Sequence, residues 1–494
     1  MTRRARLLPN DTFVQRTPDH RSRTERSHPA TEGLIDCCVL HDYAANVRTS
    51  PAATGYGLRR RRPVSEKPVS WDAVYVLIIM TLVYSMSVAD RFIGSILIEP
   101  IKQEFALSDS AVGLLTGVGV ALFYCTAAFP LGALADRVNR RNMIAWSLLV
   151  WSAITVLCGL TRTFWQLLIA RFGVGIGEAG GTPAQQSLMA DIFPPHTRGM
   201  AMTIFALGSS IGSMIGSIAG GWLSDRYGWR SALIALGVLG LPLVPLLRFT
   251  VTEPVRGKLD AQRYTGSAAL LPTLRFCWAQ RSLRHVIIGA TVITYWGWGL
   301  IWWTPAFLTR SHHLSVGEAG ALLGPMQGIG GTVVMIAAAA LMGLLGKRDS
   351  KTQVWLVFAT TIIGTVPSII VYATSSLALA TAMLWLFVPL TYLFIGPSLA
   401  LVQNLTPAPM RARVVAVYLF TANVANLILA SQIIGLISDW LRHTLAHPQE
   451  SLRWALLATS FLGIWGAVHF ALSARYLEED LIRAGSKSRE AAVS

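Results

Sequence analysis

Charge is scarce in this chain. Only 14% of its 494 residues are Asp, Glu, Lys or Arg, where a soluble protein carries about a quarter. That shortage excludes a large solvated surface. Cysteine is also sparse: Cys37, Cys38, Cys125, Cys158 and Cys277 are odd in number, two fall inside apolar stretches, and no CxxC spacing occurs. Free thiols are expected, with no disulfide framework. No GxxxxGK[ST] loop precedes a helix, which counts against an ATP-driven pump. No Ser/His/Asp order or metal-ligand spacing points to hydrolysis, and His312 and His313 lack further ligands nearby. Neither an enzyme nor a cofactor is expected. The amino-terminal end has no apolar core followed by a cleavage site, so it does not read as a secretory signal.

Long apolar runs fill the space that charge vacates. Between Trp71 and Tyr476 twelve runs begin near Trp71, Ala111, Met143, Trp165, Met200, Ser231, His285, Glu318, Val354, Ala378, Val414 and Leu452. Each holds roughly twenty residues, enough to cross a hydrocarbon core of about 30 Å as a helix. Backbone polar groups in lipid must be satisfied within the segment or in a closed barrel, and no barrel alternation appears. The expected fold class is an all-α membrane protein with twelve transmembrane helices.

The net charge of +16 invites a nucleic-acid reading, which its distribution opposes. Basic residues concentrate in every second connection, as in Arg137, Arg140 and Arg141 after segment two, or Arg256, Lys258, Arg275 and Arg284 between segments six and seven. By the positive-inside rule both termini are cytoplasmic. No nucleic-acid partner is expected. A multi-pass protein of a bacterial inner membrane, acting as a monomer in contact with lipid, is.

Residues 1–70 differ from the rest, being polar and rich in Arg and Pro, and are expected to be a disordered basic cytoplasmic tail. The cluster Arg59–Arg62 would touch anionic lipid. Beyond it the chain repeats. GLLTGVG at Gly113 and GPMQGIG at Gly324 align at an offset of 211 residues, as do GALADR at Gly132 and GLLGKR at Gly343. GWLSD at Gly221 and GLISD at Gly435 align at 214. A duplicated six-helix unit follows, with one bundle over 71–251, a cytoplasmic linker over 252–284, a second bundle over 285–476 and a tail over 477–494. Substrate sites of such repeats lie between the halves, near the midplane.

GALADRVNRRN from Gly132 resembles the loop signature of the major facilitator superfamily, with Asn139 where glycine is usual. ADRF at Ala89, RFGVGIGEAGGTPA from Arg171, GGWLSDRYGWR from Gly220, WWTPAFLTRSHHLSVGEAG from Trp302 and GPSLALVQNLTPAPMRA from Gly396 resemble its spinster-type branch. The resemblance implies the major facilitator fold, alternating access, and proton-linked or facilitated export of amphipathic molecules. The matching acidic residues of helices one and four, and the arginine of helix one, are implicated in proton coupling.

The residues support that on their own. Asp90, Arg91, Arg171 and Glu178 lie inside apolar segments, where an ionised group costs several kcal/mol (on the order of 3) unless paired or wet. Counting about 1.5 Å per residue, Arg171 and Asp90 share the outer half and should pair. Glu178, about two turns deeper on the same face as Arg171, is left freer to titrate, since desolvation can bring a carboxylate's protonation near neutral pH. A static network holding the helices together is the plainer reading. Gly132, Asp136, Arg137 and Arg140 form a candidate cytoplasmic gate securing the inward-closed state, with Asp191 as a partner; Gly132 would let helices approach closely. The glycines Gly208, Gly212, Gly216 and Gly220, and Gly320, Gly324 and Gly328, suit either sliding between halves or ordinary packing.

Tyr295 and Trp298 are candidate cavity-wall residues, whereas Trp302 and Trp303 read as members of the interfacial belt. Tyr392, Asn423 and Asn426 could hydrogen-bond a substrate. The few charges suit an amphipathic or weakly acidic small molecule, moved together with protons. Two other readings remain: a symporter importing a carboxylate held by Arg171, and a non-transporting sensor or scaffold whose basic tail is the effector.

Overall fold

The computed structural model describes residues 70–135, 137–256, 270–345, 350–407 and 410–493. The expected tail, Cys37, Cys38 and the gate candidate Asp136 lie outside them. The described chain is helical throughout, and eleven of its helices are long and apolar enough to cross a membrane. A twelfth segment is the one interrupted by Arg171 and Glu178.

The first bundle holds α1 (Trp71–Ile96), α2 (Asp109–Gly113, a π-turn over Leu114–Val118, then Gly119–Ala135), α3 (Arg140–Gly159), α4 (Phe164–Ala179 and Gly181–Ile192), α5 (Pro195–Tyr227) and α6 (Trp229–Gly240 and Leu243–Thr250). The second holds α7 (Arg281–His312), α8 (Val316–Pro325, a π-turn over Met326–Gly330, then Gly331–Leu345), α9 (Ser350–Ala373), α10 (Leu377–Leu390 and Ile395–Asn404), α11 (Arg411–Asn423, a π-turn over Val424–Ala430, then Ser431–Thr444) and α12 (Ser451–Ser460 and Leu462–Val493). Within the stretch expected as linker, Leu270–Ala279 forms a separate helix, and α12 continues past residue 476. Twelve crossings bring the start of α1 and the end of α12 to one face, here the tail face. The opposite one is the distal face.

Capping residues start many of these helices. Ser70, Ser108, Asn139, Thr163 and Ser376 each accept a bond from a backbone N–H of the first turn, and Ser315 forms a capping box with Glu318. Such caps are worth about 1 kcal/mol each.

Glycines then decide which helices touch closely, and the two glycine rows do different jobs. The α5 row faces α1 in its own bundle: a Cβ on Gly216 would fall 2.5 Å from the Ala89 carbonyl oxygen. The α8 row faces α5 of the other bundle, with Gly320 against Ser217 and Gly324 against Ile218. Only the second row is an interface between halves. The expected close approach at Gly132 does not occur, because a Cβ there would meet nothing within 4 Å. The same holds at Gly199, Gly343 and Gly396, all toward the tail face.

At the distal face the two bundles are tied. Arg310 at the end of α7 donates to Glu99 at 2.7 Å and, with both terminal nitrogens, to Asp109 at 3.0 and 2.9 Å. Lys102 also bonds Asp109, and Ser438 of α11 donates to it at 2.6 Å. Burial disfavours the charged Lys102 ammonium, and the neighbouring Arg310 charge lowers its pKa further, against the pull of Asp109. Asp439 of α11 accepts the backbone N–H groups of Asp109 and Ser110 at the start of α2, both at 2.8 Å. Asp225 of α5 accepts the Gly317 N–H at the start of α8, also at 2.8 Å. These two aspartates are the last residues of the repeated GWLSD and GLISD. Each caps a helix of the opposite bundle, favoured by the helix dipole.

Candidate functional site

Four charges lie on α1 and α4, and the helices bring them together as two ion pairs. Arg171 Nη1 stands 3.1 Å from Asp90 Oδ2, the pairing that the depth count expects. Gly94, one turn along α1 from Asp90, leaves the space that the Arg171 guanidinium fills. Asp90 Oδ1 accepts from Thr155 of α3 at 2.7 Å. Both oxygens of Asp90 are thereby engaged.

Glu178 is not left free, contrary to expectation. Its Oε2 receives Arg91 Nε at 2.9 Å and Nη2 at 2.7 Å. Arg91 follows Asp90 directly, so the helix turns it about 100° away and it meets α4 two turns deeper. Its guanidinium also lies 4.8 Å from the centroid of the Tyr124 ring, a cation–π contact. Glu178 Oε1 is buried and has no hydrogen-bond partner. The two carboxylates thus differ in one respect that matters chemically: Glu178 can accept a proton without losing a bond.

A cavity of about 300 Å³ lies between the bundles, walled by α1, α5, α7, α10 and α11. Arg91 reaches into it, and its side chain keeps 21% of its surface exposed, against 0% for Glu178. Phe92 and Trp302 stack in the wall at 5.0 Å, and Trp298 and Tyr392 meet edge-on at 5.2 Å. Trp302 Nε1 donates to Asn426 at 2.9 Å, while Asn423 and Asn426 line the space. The assignment of Trp302 and Trp303 to an interfacial belt fails. Trp302 lines the cavity, and Trp303 is fully enclosed. Of the two aromatics expected in the wall, Trp298 lines it. Tyr392 is buried behind Trp298, and Tyr295 is half-buried outside the lining set. A smaller recess, sharing Arg91 and Trp302 with the cavity, reaches Asp90 and Arg171.

The gate candidates form a network of another kind. Arg140 donates to Asp191 at 2.6 Å, to Glu253 at 2.8 Å and to the Ser187 carbonyl at 3.0 Å. All these residues belong to the first bundle or to the segment just after α6. Arg137 is exposed. These partners of Arg140 all lie on its own side of the molecule, so the Arg140–Asp191 pair fastens one bundle. Sequence reasoning missed Glu253, which also caps the Arg141 N–H at 2.9 Å. It also assigned no role to Arg310 and Lys102. The signal available was the acidic residue Asp109 directly after an N-cap serine, in a loop otherwise short of partners.

The profile of the Major Facilitator Superfamily matches residues 80–430. The chain belongs to that superfamily. It is 30% identical over 416 residues to an MFS-type efflux pump of Mycolicibacterium smegmatis, covering 84% of this chain and 94% of that protein. It is 28% identical over 443 residues to protein spinster homolog 1 of Mus musculus, covering 83% and 82%. Among solved structures, a bacterial homologue of the human lysosomal transporter spinster, in an inward-facing and unoccupied conformation, superposes with a TM-score of 0.74 at 26% identity. That match covers 84% of this chain and 99% of the other. The chain is a spinster-like membrane transporter of the superfamily and not an enzyme.

Proposed function

We propose that the protein moves an amphipathic, weakly acidic molecule across the membrane by alternating access coupled to protons, with Glu178 as the proton carrier. The carrying observation is the unequal engagement of the two buried carboxylates. Asp90 is bonded through both oxygens and acts as a fastener of α1 to α3 and α4. Glu178 is held through one oxygen by an arginine that also faces the cavity. When Oε1 takes a proton, the carboxyl becomes neutral and the Arg91 charge is released to an anionic group in the cavity. Proton and acidic cargo then bind together. Phe92, Trp298 and Trp302 cover the apolar part of the cargo, and Asn423 and Asn426 meet its polar groups.

This arrangement also favours Arg91 over Arg171 as the anion's partner in a carboxylate importer, since Arg171 is buried between Gly94 and Asp90. A relative named as a sphingosine-1-phosphate transporter, from Danio rerio and 25% identical over 426 residues, is consistent with an anionic amphipath. We further propose that the tail face is cytoplasmic in a bacterial inner membrane, that 71–251 and 285–476 rock as the two bodies of a monomer, and that the closed distal face makes this the inward-open state. The basic loops of the tail face support the orientation.

The test is proton movement in proteoliposomes under an imposed pH gradient, with lysolipids, organic acids and drugs as cargo. Glu178→Gln should lose cargo-driven proton flux while still binding cargo. Asp90→Asn should lower thermal stability and leave residual coupling. Equal proton flux in wild type and Glu178→Gln would make the cluster structural. A wild-type protein that moves no member of the panel would overturn the amphipathic reading.

A further inference from the structure

A second, larger cavity of about 800 Å³ opens on the outside of the second bundle, toward the tail face. It lies between the Leu270–Ala279 helix, α7, α11 and α12, and it shares no lining residue with the central cavity. Its walls are aliphatic and aromatic, including Ile287, Ile288, Val417 and Trp465. Two of its lining residues are different in kind: Arg275 and Arg284.

The helix that closes the groove has the composition of one lying at a membrane surface. Leu271, Leu274 and Trp278 are exposed at 58%, 42% and 66%, while Thr273 and Cys277 face inward. Apolar side chains at the acyl boundary with arginine at the same level are the pattern of interfacial helices. The Arg284 guanidinium lies 5.2 Å from the Trp278 ring centroid and donates to the Trp278 carbonyl at 3.3 Å. That contact fixes the arginine at the groove while leaving most of its donors unused. No described carboxylate forms an ion pair with Arg275 or Arg284.

We propose that this groove is a binding site for one anionic phospholipid of the tail-face leaflet. Its phosphate sits on Arg275 and Arg284, and an acyl chain lies along α7 toward Thr291 and Val292. The charge complementarity picks the headgroup: an apolar slot alone would take any lipid, but two arginines at its rim with no described carboxylate partner select an anion. Basic pockets between helices on the cytoplasmic side recognise anionic headgroups for the same reason. The site is separate from transport. α7 and α11 form its inner wall, where Thr291 donates to Thr421 at 3.1 Å, and the same two helices line the central cavity through Thr294 and Tyr418.

The experiment uses the full chain in nanodiscs with photoactivatable phosphatidylglycerol and phosphatidylcholine probes, followed by peptide mapping. Phosphatidylglycerol should label the 270–292 region, phosphatidylcholine much less. Arg275→Gln with Arg284→Gln should cut phosphatidylglycerol labelling by roughly tenfold, and Lys at both positions should restore most of it. Ile288→Trp, which fills the slot and keeps both charges, should also reduce labelling. Equal labelling by the two probes, or labelling unchanged in the double Gln variant at unaltered melting temperature, would overturn the proposal and leave ordinary boundary lipid. Since cargo flux is not read, the outcome stands apart from the proton-coupling test.

Discussion

The two ends of the molecule are built on opposite plans. At the distal end charges cross between bundles: Arg310 reaches Asp109 and Glu99, and Asp439 and Asp225 cap the helices of the other half. At the tail end Arg140 pairs with Asp191 and Glu253 on its own side of the molecule. Polar residues can therefore serve two separate purposes in a protein with so few of them. One set holds a single body together. The other set ties the two bodies to each other at one end.

That contrast is open to direct attack. Arg310→Ala leaves Asp109 short of its main partner, and breaking a buried pair costs about 3 kcal/mol or more. The distal-open population should rise on the order of a hundredfold, seen as longer distances between spin labels on the distal ends of α1 and α7. Arg140→Ala should lower the melting temperature by a similar free energy and leave those distances unchanged. If it moves them as far as Arg310→Ala does, the division of labour is wrong.

Next in size come paired glycine substitutions. A Cβ on Gly435 would sit 2.5 Å from the Asp109 carbonyl oxygen, so Gly435→Ala should disfavour the distal-closed state by about 1–3 kcal/mol. Gly132→Ala meets open space and should change stability by no more than about 0.5 kcal/mol; the same label distances report both. Removing one cap, by Asp439→Asn, should weaken distal closure by about 1 kcal/mol and give a partial version of the Arg310→Ala distances.

The smallest effect is expected at Glu104, half-exposed on the distal side. Its hydrogen bond from Arg230, with a second from Trp229, holds its carboxyl below the usual glutamate range against partial burial. A depressed carboxylate contributes stability that is present above its unfolded pKa and lost as the pH falls through the folded one. Exposure keeps that contribution small. Glu104→Gln should lower the melting temperature slightly at neutral pH and converge with the wild type at the acid end, so the acid limb of the profile flattens.

Much of the architecture was legible because lipid restricts the options to few. Segment length and loop charge suffice for twelve crossings, and depth along a helix suffices to place Asp90 beside Arg171. What stays hidden is the angle around each helix axis. Arg91 and Asp90 are neighbours in sequence yet bind different partners, which a depth count cannot separate. Trp302 and Trp303 lie near the end of a span, where tryptophan often meets headgroups, but both point into protein. The repeat ending in Asp225 and Asp439 was visible as a repeat. Its role was not, because each aspartate acts on the half that does not contain it, and no local pattern names that partner.

The π-turns follow the internal repeat only in part. One falls at Leu114–Val118, within GLLTGVG, and another at Met326–Gly330, within GPMQGIG. These are the two strings that align across the halves. A π-turn amounts to one residue inserted into an α-helix. The two copies of the repeat therefore share the same local widening, displaced by one residue in register. The turn at Val424–Ala430 in α11 has no counterpart in α5, which is continuous from Pro195 to Tyr227. There the two copies of the repeat bend differently, and only α11 carries the widened turn along the cavity wall.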